Sequence, residues 1–233
     1  MSEAYVHTVA LMGTVVTIQV VGNGADRRQR PEREKGVKRA LAWFHRIDED
    51  CTRFDARSEV SRLSTHVGVP VAVSSTVYQA VQFALAVAEE SGGAFDPTVG
   101  HLMEQRGFNL EHRSGRVVRT APDSDGDVSY RGVLLDPDRK TITLRRPVIL
   151  DLGAVAKGLA VDMAARELQE FGNFAIDAGG DLFLGGCNAD GHAWAVGIRN
   201  PRDERELIET LHVTNTAVCT SGDYERRSTD DDG

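Results

Sequence analysis

Residues 151–181, DLGAVAKGLAVDMAARELQEFGNFAIDAGGD, constrain the fold of this chain more than any other segment. The pattern predicts a strand end, a glycine turn at Gly153, an amphipathic helix to about Glu170, a second strand and a second glycine turn. Lys157 falls near the start of this helix, where free amide groups beside a cation suit a phosphate ligand. A solvated surface lysine is the alternative that this segment alone leaves open.

Carboxylates bracket the same segment and favour a divalent cation between protein and phosphates. They belong to Asp151, Asp162, Asp177 and Asp181. A phosphate site, a cation and a metal together indicate nucleotide chemistry.

Length and charge exclude several classes of protein. The chain has 233 residues, which at roughly 150 residues per domain is one large domain or two lobes sharing a core. A net charge of -8 argues against nucleic-acid or anionic-membrane binding, since both need a basic face. The N-terminus lacks the pattern of a signal peptide, and apolar runs fall short of the roughly 20 residues needed to cross a bilayer. We therefore expect a cytoplasmic protein without membrane insertion.

The cysteines and histidines show no metal-binding or disulfide pattern. Cys51, Cys187 and Cys219 are widely separated, without a C-x-x-C pair, and are expected to be free thiols. The spacing of the histidines matches no metal motif.

Elsewhere, β-rich runs alternate irregularly with helical patterns. The runs that predict strands are residues 6–11, 15–21, 71–73, 133–135, 141–144, 182–184, 193–198 and 211–219. Apolar spacing predicts helices over residues 37–50 and from Ser74 or Ser75 to about Glu90, whereas the polar residues 22–36 suggest an exposed connection. The mixture predicts an α+β fold with mixed or antiparallel sheets and interspersed helices.

Further polar clusters could carry chemistry. In GGAFDPTVG at residues 92–100, local chemistry favours a simple Asx-Pro helix start at Asp96, and a cap of the next helix by Thr98 is the alternative. Residues 220–223, TSGD, follow a β-rich run and form either a ligand-binding loop or a plain turn. Phe54 stacks on a purine or is an ordinary core aromatic.

Several sequence blocks, taken in order, resemble the ApbE family of FAD:protein FMN transferases. The blocks are MGT at 12–14, SEVSRL at 58–63, GAFDPT at 93–98, DLGAVAKG at 151–158, AGGD at 178–181, residues 194–201 and TSGDYER at 220–226. They cover nearly the whole chain. The resemblance implies an enzyme that binds FAD and Mg²⁺, transfers FMN to a threonine or serine hydroxyl of an acceptor flavoprotein, and releases AMP.

The resemblance also implies roles for particular residues. Met12 and Phe54 would line the adenine side of the pocket, and Ala154 would offer its carbonyl oxygen to magnesium. The residues implied to contact FAD or line the site are Ala94, Phe95, Asp96, Lys157, Thr220, Ser221 and Gly222. Asp162 and Asp181 fit the family pattern without a defined role, and no catalytic residue is assigned.

One departure from the family pattern concerns the C-terminal side. An H-H-I-I-D-P-like segment, and a later Asp and Thr of the family's metal site, have no counterpart in the 233 residues. The sequence therefore predicts a single ApbE-like domain over residues 1–233 that is incomplete at its C-terminal side. The alternatives are a module or degenerate relative that binds FAD without transferring FMN, and a hydrolase that converts FAD to FMN and AMP.

Overall fold

A computed structural model describes residues 2–23, 29–110, 115, 117–118 and 128–220. The strands are β1 (Ser2–Leu11), β2 (Thr14–Asn23), β3 (Val71–Ala72), β4 (Val133–Asp136), β5 (Thr141–Leu144), β6 (Phe174–Ala178), β7 (Asp181–Gly185), β8 (Trp194–Asn200), β9 (Asp203–Val213) and β10 (Thr216–Cys219). The α-helices are α1 (Gln29–Cys51), α2 (Glu59–Ser64), α3 (Ser75–Glu90), α4 (Gly100–Gln105) and α5 (Gly153–Leu168). Short 3₁₀ helices cover Tyr130–Gly132 and Gln169–Phe171.

The chain divides into two compact units. Among the described residues, the first comprises 2–23, 29–45 and 157–220, and the second comprises 46–110, 115, 117–118 and 128–156. Within the described residues, no helix is both long and apolar enough to span a membrane.

The first unit is built on an antiparallel sheet with the strand order β1-β2-β6-β7-β10. Alternate residues of β2, namely Val16, Ile18 and Val20, are fully buried, so one face of this sheet forms core. β8 and β9 pair separately as an antiparallel ribbon. Trp194 at the start of β8 is buried and its Nε1 donates a hydrogen bond of 3.0 Å to the Gly185 carbonyl.

Helix α1 begins well before the predicted position. Residues 22–36 were expected to form an exposed connection, yet α1 starts at Gln29. Pro31 lies in its first turn, where the missing N–H costs no helical hydrogen bond. The buried face of the first turns of α1 carries Arg33 and Gly36. A Cβ added at Gly36 would lie 2.3 Å from the Phe171 ring. Apolar periodicity failed here because the buried positions are not large apolar residues.

The second unit contains a sheet of order β3-β5-β4 with helices α2, α3 and α4. The predicted cap of α3 is confirmed at Ser74, whose Oγ accepts from the Val77 N–H at 3.2 Å. Ser91 ends the helix, and Gly92 takes a positive φ of 62° directly after it.

The α+β prediction is confirmed. One predicted strand, residues 211–219, is divided in the structure between β9 and β10. The chain turns between them at Asn215, which has a φ of 51°. Asparagine tolerates this left-handed conformation better than most residues, so the run of β-formers is interrupted without a glycine.

Candidate functional site

In the first unit, the predicted Met12 position lies in a strained turn. Met12 and Gly13 join β1 to β2, with Leu11 opposite Thr14 and positive φ angles of 52° and 70°. Two positive φ angles in a two-residue hairpin are typical of a type I′ turn, where Asn, Asp or Gly is usual. A half-buried methionine in this conformation carries strain, which is typical of functional positions.

The glycine turn between β6 and β7 packs directly against this hairpin. Gly179 and Gly180 have φ angles of 64° and 92°. A Cβ on Gly179 would lie 1.9 Å from the Thr14 Oγ1, so only glycine allows this approach. Asp177 stabilises the turn by accepting from the Gly180 N–H at 3.2 Å. The structure therefore brings the MGT and AGGD blocks together.

Lys157 points at the same turn. Its Nζ lies 3.0 Å from the Asp181 Oδ2, with the two side chains 30% and 22% exposed. Thr220 lies on the other side of the turn, where its N–H donates to the Gly180 carbonyl at 3.3 Å. A partly exposed ion pair of this kind contributes only about 0–1 kcal/mol to the free energy of unfolding. Stability alone therefore does not explain why Lys157 and Asp181 are paired here. The pair does hold the Lys157 ammonium group beside the Gly179–Gly180 turn and Thr220.

Cys219 was not expected at this position. It lies opposite Asp181 in the pairing of β10 with β7. Although Cys219 is exposed, desolvation by the surrounding protein raises the pKa of its thiol, the neighbouring Asp181 charge and hydrogen bond raise it further, and Lys157 opposes them. The thiol therefore stays protonated at neutral pH. Sequence gave no signal for this contact, because it depends on strand pairing.

In the second unit, Asp96 organises the turn before α4. Its Oδ1 accepts from the Thr98 N–H at 2.9 Å and from the Thr98 Oγ1 at 2.6 Å, and its Oδ2 accepts from the Tyr130 N–H at 3.0 Å. Thr98 does not cap the next helix, because the N-cap is Val99 and no side chain forms a cap hydrogen bond there. The favoured interpretation, an Asx turn at Asp96, is what the structure shows. Ala94 is exposed and Phe95 half-buried.

Phe54 lies beside a buried arginine that sequence reasoning passed over. Arg53 follows the end of α1, and its guanidinium carbon lies 4.2 Å from the centroid of the Phe54 ring. Its Nε donates to the Asp151 Oδ2 at 2.8 Å. An arginine just beyond a helix usually indicates solvent exposure, so only the folded arrangement reveals this one.

At the start of α5, one backbone amide is already bonded within the chain. The Asp151 Oδ1 accepts a hydrogen bond from the Gly153 N–H at 2.8 Å. This amide is therefore already bonded to a carboxylate of the chain. Ala154 is exposed in the first turn. Its carbonyl oxygen is of the type that Mg²⁺ prefers. Over the described ranges, however, no group of three His, Cys, Asp or Glu side chains is placed to hold a metal ion.

Two of the predicted residues, Ser221 and Gly222, lie outside the described residues. The remaining predicted residues fall into two sets. Those of the first unit are Met12, Lys157 and Thr220, and those of the second are Phe54, Ala94, Phe95, Asp96 and Ala154.

Comparison with known proteins agrees with the sequence blocks. The model of the ApbE family matches residues 12–233. The chain belongs to the ApbE family. It is 33% identical over 188 residues to an FAD:protein FMN transferase of Vibrio cholerae, covering 76% of this chain and 55% of the relative. A relative with the same name from Haemophilus influenzae is 25% identical over 224 residues, covering 91% of this chain and 64% of the relative.

Solved ApbE structures share the fold of this ApbE chain. A crystal structure of an ApbE protein from Thermotoga maritima superposes with a TM-score of 0.79 at 31% identity, covering 96% of this chain and 72% of that one. The flavin transferase ApbE from Vibrio cholerae gives a TM-score of 0.78 at 25% identity, with 97% and 74% coverage. The chain thus spans somewhat more than half the length of the first curated relatives that it matches.

Proposed function

We propose that this ApbE chain binds FAD and takes part in the transfer of FMN from FAD to a threonine or serine hydroxyl of an acceptor flavoprotein. The observation that carries the proposal is the cluster around the Gly179–Gly180 turn. There the family blocks containing Met12, Lys157, Asp181 and Thr220 meet within the first unit. Relatives named FAD:protein FMN transferase support the flavin as the ligand.

The proposed reaction cleaves the pyrophosphate of FAD. The acceptor hydroxyl oxygen attacks the phosphorus of the FMN half, and the bond from that phosphorus to the bridging oxygen breaks. AMP leaves with the bonding electron pair, and the hydroxyl proton passes to a general base within hydrogen-bond reach. Negative charge develops on the phosphate oxygens, and catalysis consists mainly in positioning and in stabilising that charge.

Lys157 is proposed to supply the positive charge. Its ammonium group is already held 3.0 Å from the Asp181 carboxylate, which orients it before FAD binds. Thr220, Ser221 and Gly222 are proposed to line the site on the β10 side. Met12 is proposed to contact the adenine half.

The family resemblance supports nucleotide contacts for residues of the second unit, and these are proposed for that unit by itself. Phe54 would contact the adenine half. Because the Asp96 carboxylate already accepts hydrogen bonds from Thr98 and Tyr130, the contacts from residues 94–96 are assigned to their backbone and to the Phe95 ring. The carbonyl of Ala154 is proposed as a ligand of Mg²⁺, which when bound would neutralise charge on the phosphates. We treat residues 1–233 as one ApbE-like domain.

Intact-mass spectrometry of an acceptor domain tests the proposal. The chain is incubated with FAD, magnesium chloride and an acceptor bearing the target threonine. We expect an FMN-sized mass increase on the acceptor and release of AMP. Lys157→Met should abolish the adduct, whereas the matched variant Lys35→Met, at a 64% exposed helix position, should leave it unchanged.

The other outcomes separate the alternatives. Release of FMN and AMP without an acceptor adduct would identify an FAD hydrolase. FAD binding without either product would identify a binding module. An unmodified acceptor in both cases contradicts the proposed transfer.

A further inference from the structure

We propose that Arg53 is a positioning residue that fixes the adenine-binding side of the site by joining three segments of the second unit. This inference rests on the proposed function, because it assigns the adenine side to Phe54. The three segments are the loop carrying Phe54, the turn at residues 96–98 and the start of α5.

Arg53 is a buried charge whose Nε and Nη2 donate hydrogen bonds, whereas its Nη1 has no hydrogen-bond partner among the described residues. Its side chain is only 5% exposed and forms ion pairs with Asp151 at 2.8 Å and with Glu104 at 3.5 Å. Its Nη2 also donates to the Phe108 carbonyl. Burying a guanidinium costs several kcal/mol, and apolar residues often stabilise such a position equally well. A buried charge of this kind is explained better by the geometry that it imposes than by stability.

Arg53 contacts two of the proposed nucleotide-binding segments directly and is linked to the third through Asp151. The guanidinium lies 4.2 Å from the Phe54 ring centroid and so fixes the ring plane. Asp151, its partner, accepts from the Gly153 N–H at 2.8 Å and thereby sets the first turn of α5. The Asp151 N–H donates to the Pro97 carbonyl at 2.8 Å, which ties the Asp96 turn to the same point.

Lysine cannot make this set of contacts. The guanidinium is planar, with N–H groups pointing in several fixed directions, and a flat face that stacks on an aromatic ring. An ammonium group keeps the charge but loses both the fork and the stacking face. Arg53→Lys therefore separates the geometric role of the residue from its charge.

The test compares the binding of FAD, AMP and FMN by fluorescence titration and calorimetry. We expect Arg53→Lys to weaken both FAD and AMP about ten-fold, the effect of losing one well-oriented contact, while FMN binding stays unchanged. Selective loss of AMP affinity is a result that general destabilisation does not produce. The matched control is Arg57→Lys, in the same loop, where the side chain is 91% exposed and pairs with Asp55. It should bind all three ligands like the wild type.

A second variant keeps the test decisive if Arg53→Lys does not fold. Asp151→Asn retains an acceptor for the Gly153 N–H but removes the nearer of the two charge partners of Arg53, and it should show the same selective loss of AMP affinity. A Phe54→Ala change should add little to either variant, because residues acting through one contact are non-additive. Unchanged AMP and FAD affinities in a folded variant, or equal loss of AMP and FMN, would overturn the inference. Failure of the wild-type chain to bind FAD would instead overturn the proposed function.

Discussion

Gly179→Ala tests the close contact that brings two parts of the candidate site together. The added Cβ would lie 1.9 Å from the Thr14 Oγ1 and 2.9 Å from the Thr14 Cβ. A non-glycine residue at the φ of 64° costs about 1–2 kcal/mol, and the lower entropy of the unfolded alanine chain offsets about 0.4–1 kcal/mol of this. Overpacking adds about 1–3 kcal/mol. The expected loss in the free energy of unfolding is about 2–4 kcal/mol.

The chain offers a control that isolates the backbone contribution. Gly172 has a φ of 73° and no atom within 4 Å of its added Cβ. Gly172→Ala should therefore cost only the backbone term, about 1 kcal/mol. The free energies of unfolding of Gly179→Ala and Gly172→Ala are measured by urea denaturation and compared at constant m-value.

A double mutant assigns the remaining cost to Thr14. Thr14→Ala removes the Oγ1 and Cγ2 atoms, so Gly179→Ala should cost about 1–2 kcal/mol less in that background. If Gly179→Ala destabilises no more than Gly172→Ala, or if its cost is independent of Thr14, the close contact between the two turns is wrong.

Two cysteines give further predictions. In a variant lacking the other two cysteines, Cys219 should react with iodoacetamide more slowly than a free thiol at pH 8, because desolvation and Asp181 raise its pKa. Asp181→Asn should accelerate the reaction, and an unchanged rate would refute the contact between the two side chains. Burial raises the pKa of Cys51 from 9.0 to about 12, so the unfolded thiol ionises first as pH rises. Between pH 9 and 12, Cys51 should lower the free energy of unfolding by about 1.4 kcal/mol per pH unit. Cys51→Ala should remove this slope when unfolding is measured by urea denaturation. The same slope in the wild type and in Cys51→Ala would contradict the raised pKa of Cys51.

The elements predicted from sequence are those with a regular pattern and a local signal. The β1–β2 hairpin shows apolar alternation around a glycine, and α3 combines helical spacing with a capping serine. The first turns of α1 escaped detection because Arg33 and Gly36 occupy its inner face. Local pattern cannot show that a charged residue and a glycine are buried there.

The same distinction holds for the candidate site. Lys157 and Thr220 were predicted because each lies beside a glycine turn in a family block. Arg53 was missed because its partner Asp151 is 98 residues away in the chain. Cys219 was missed because its neighbour Asp181 is brought close by strand pairing. Sequence located the turns, whereas the contacts that orient their side chains depend on the tertiary fold.

The central claim is that FAD binds at the cluster around the Gly179–Gly180 turn, which includes Lys157. It is tested most directly by calorimetric titration of FAD into the wild-type chain, Lys157→Met and Lys35→Met. Lys157 lies 3.0 Å from Asp181 beside the glycine turn, whereas Lys35 pairs with Glu32 on the surface of α1. We predict saturable binding to the wild type and to Lys35→Met, and affinity at least ten-fold weaker for Lys157→Met, as expected for losing a charge-assisted phosphate contact of about 1.5–3 kcal/mol. Equal FAD affinity in all three proteins, or none in the wild type, would contradict it.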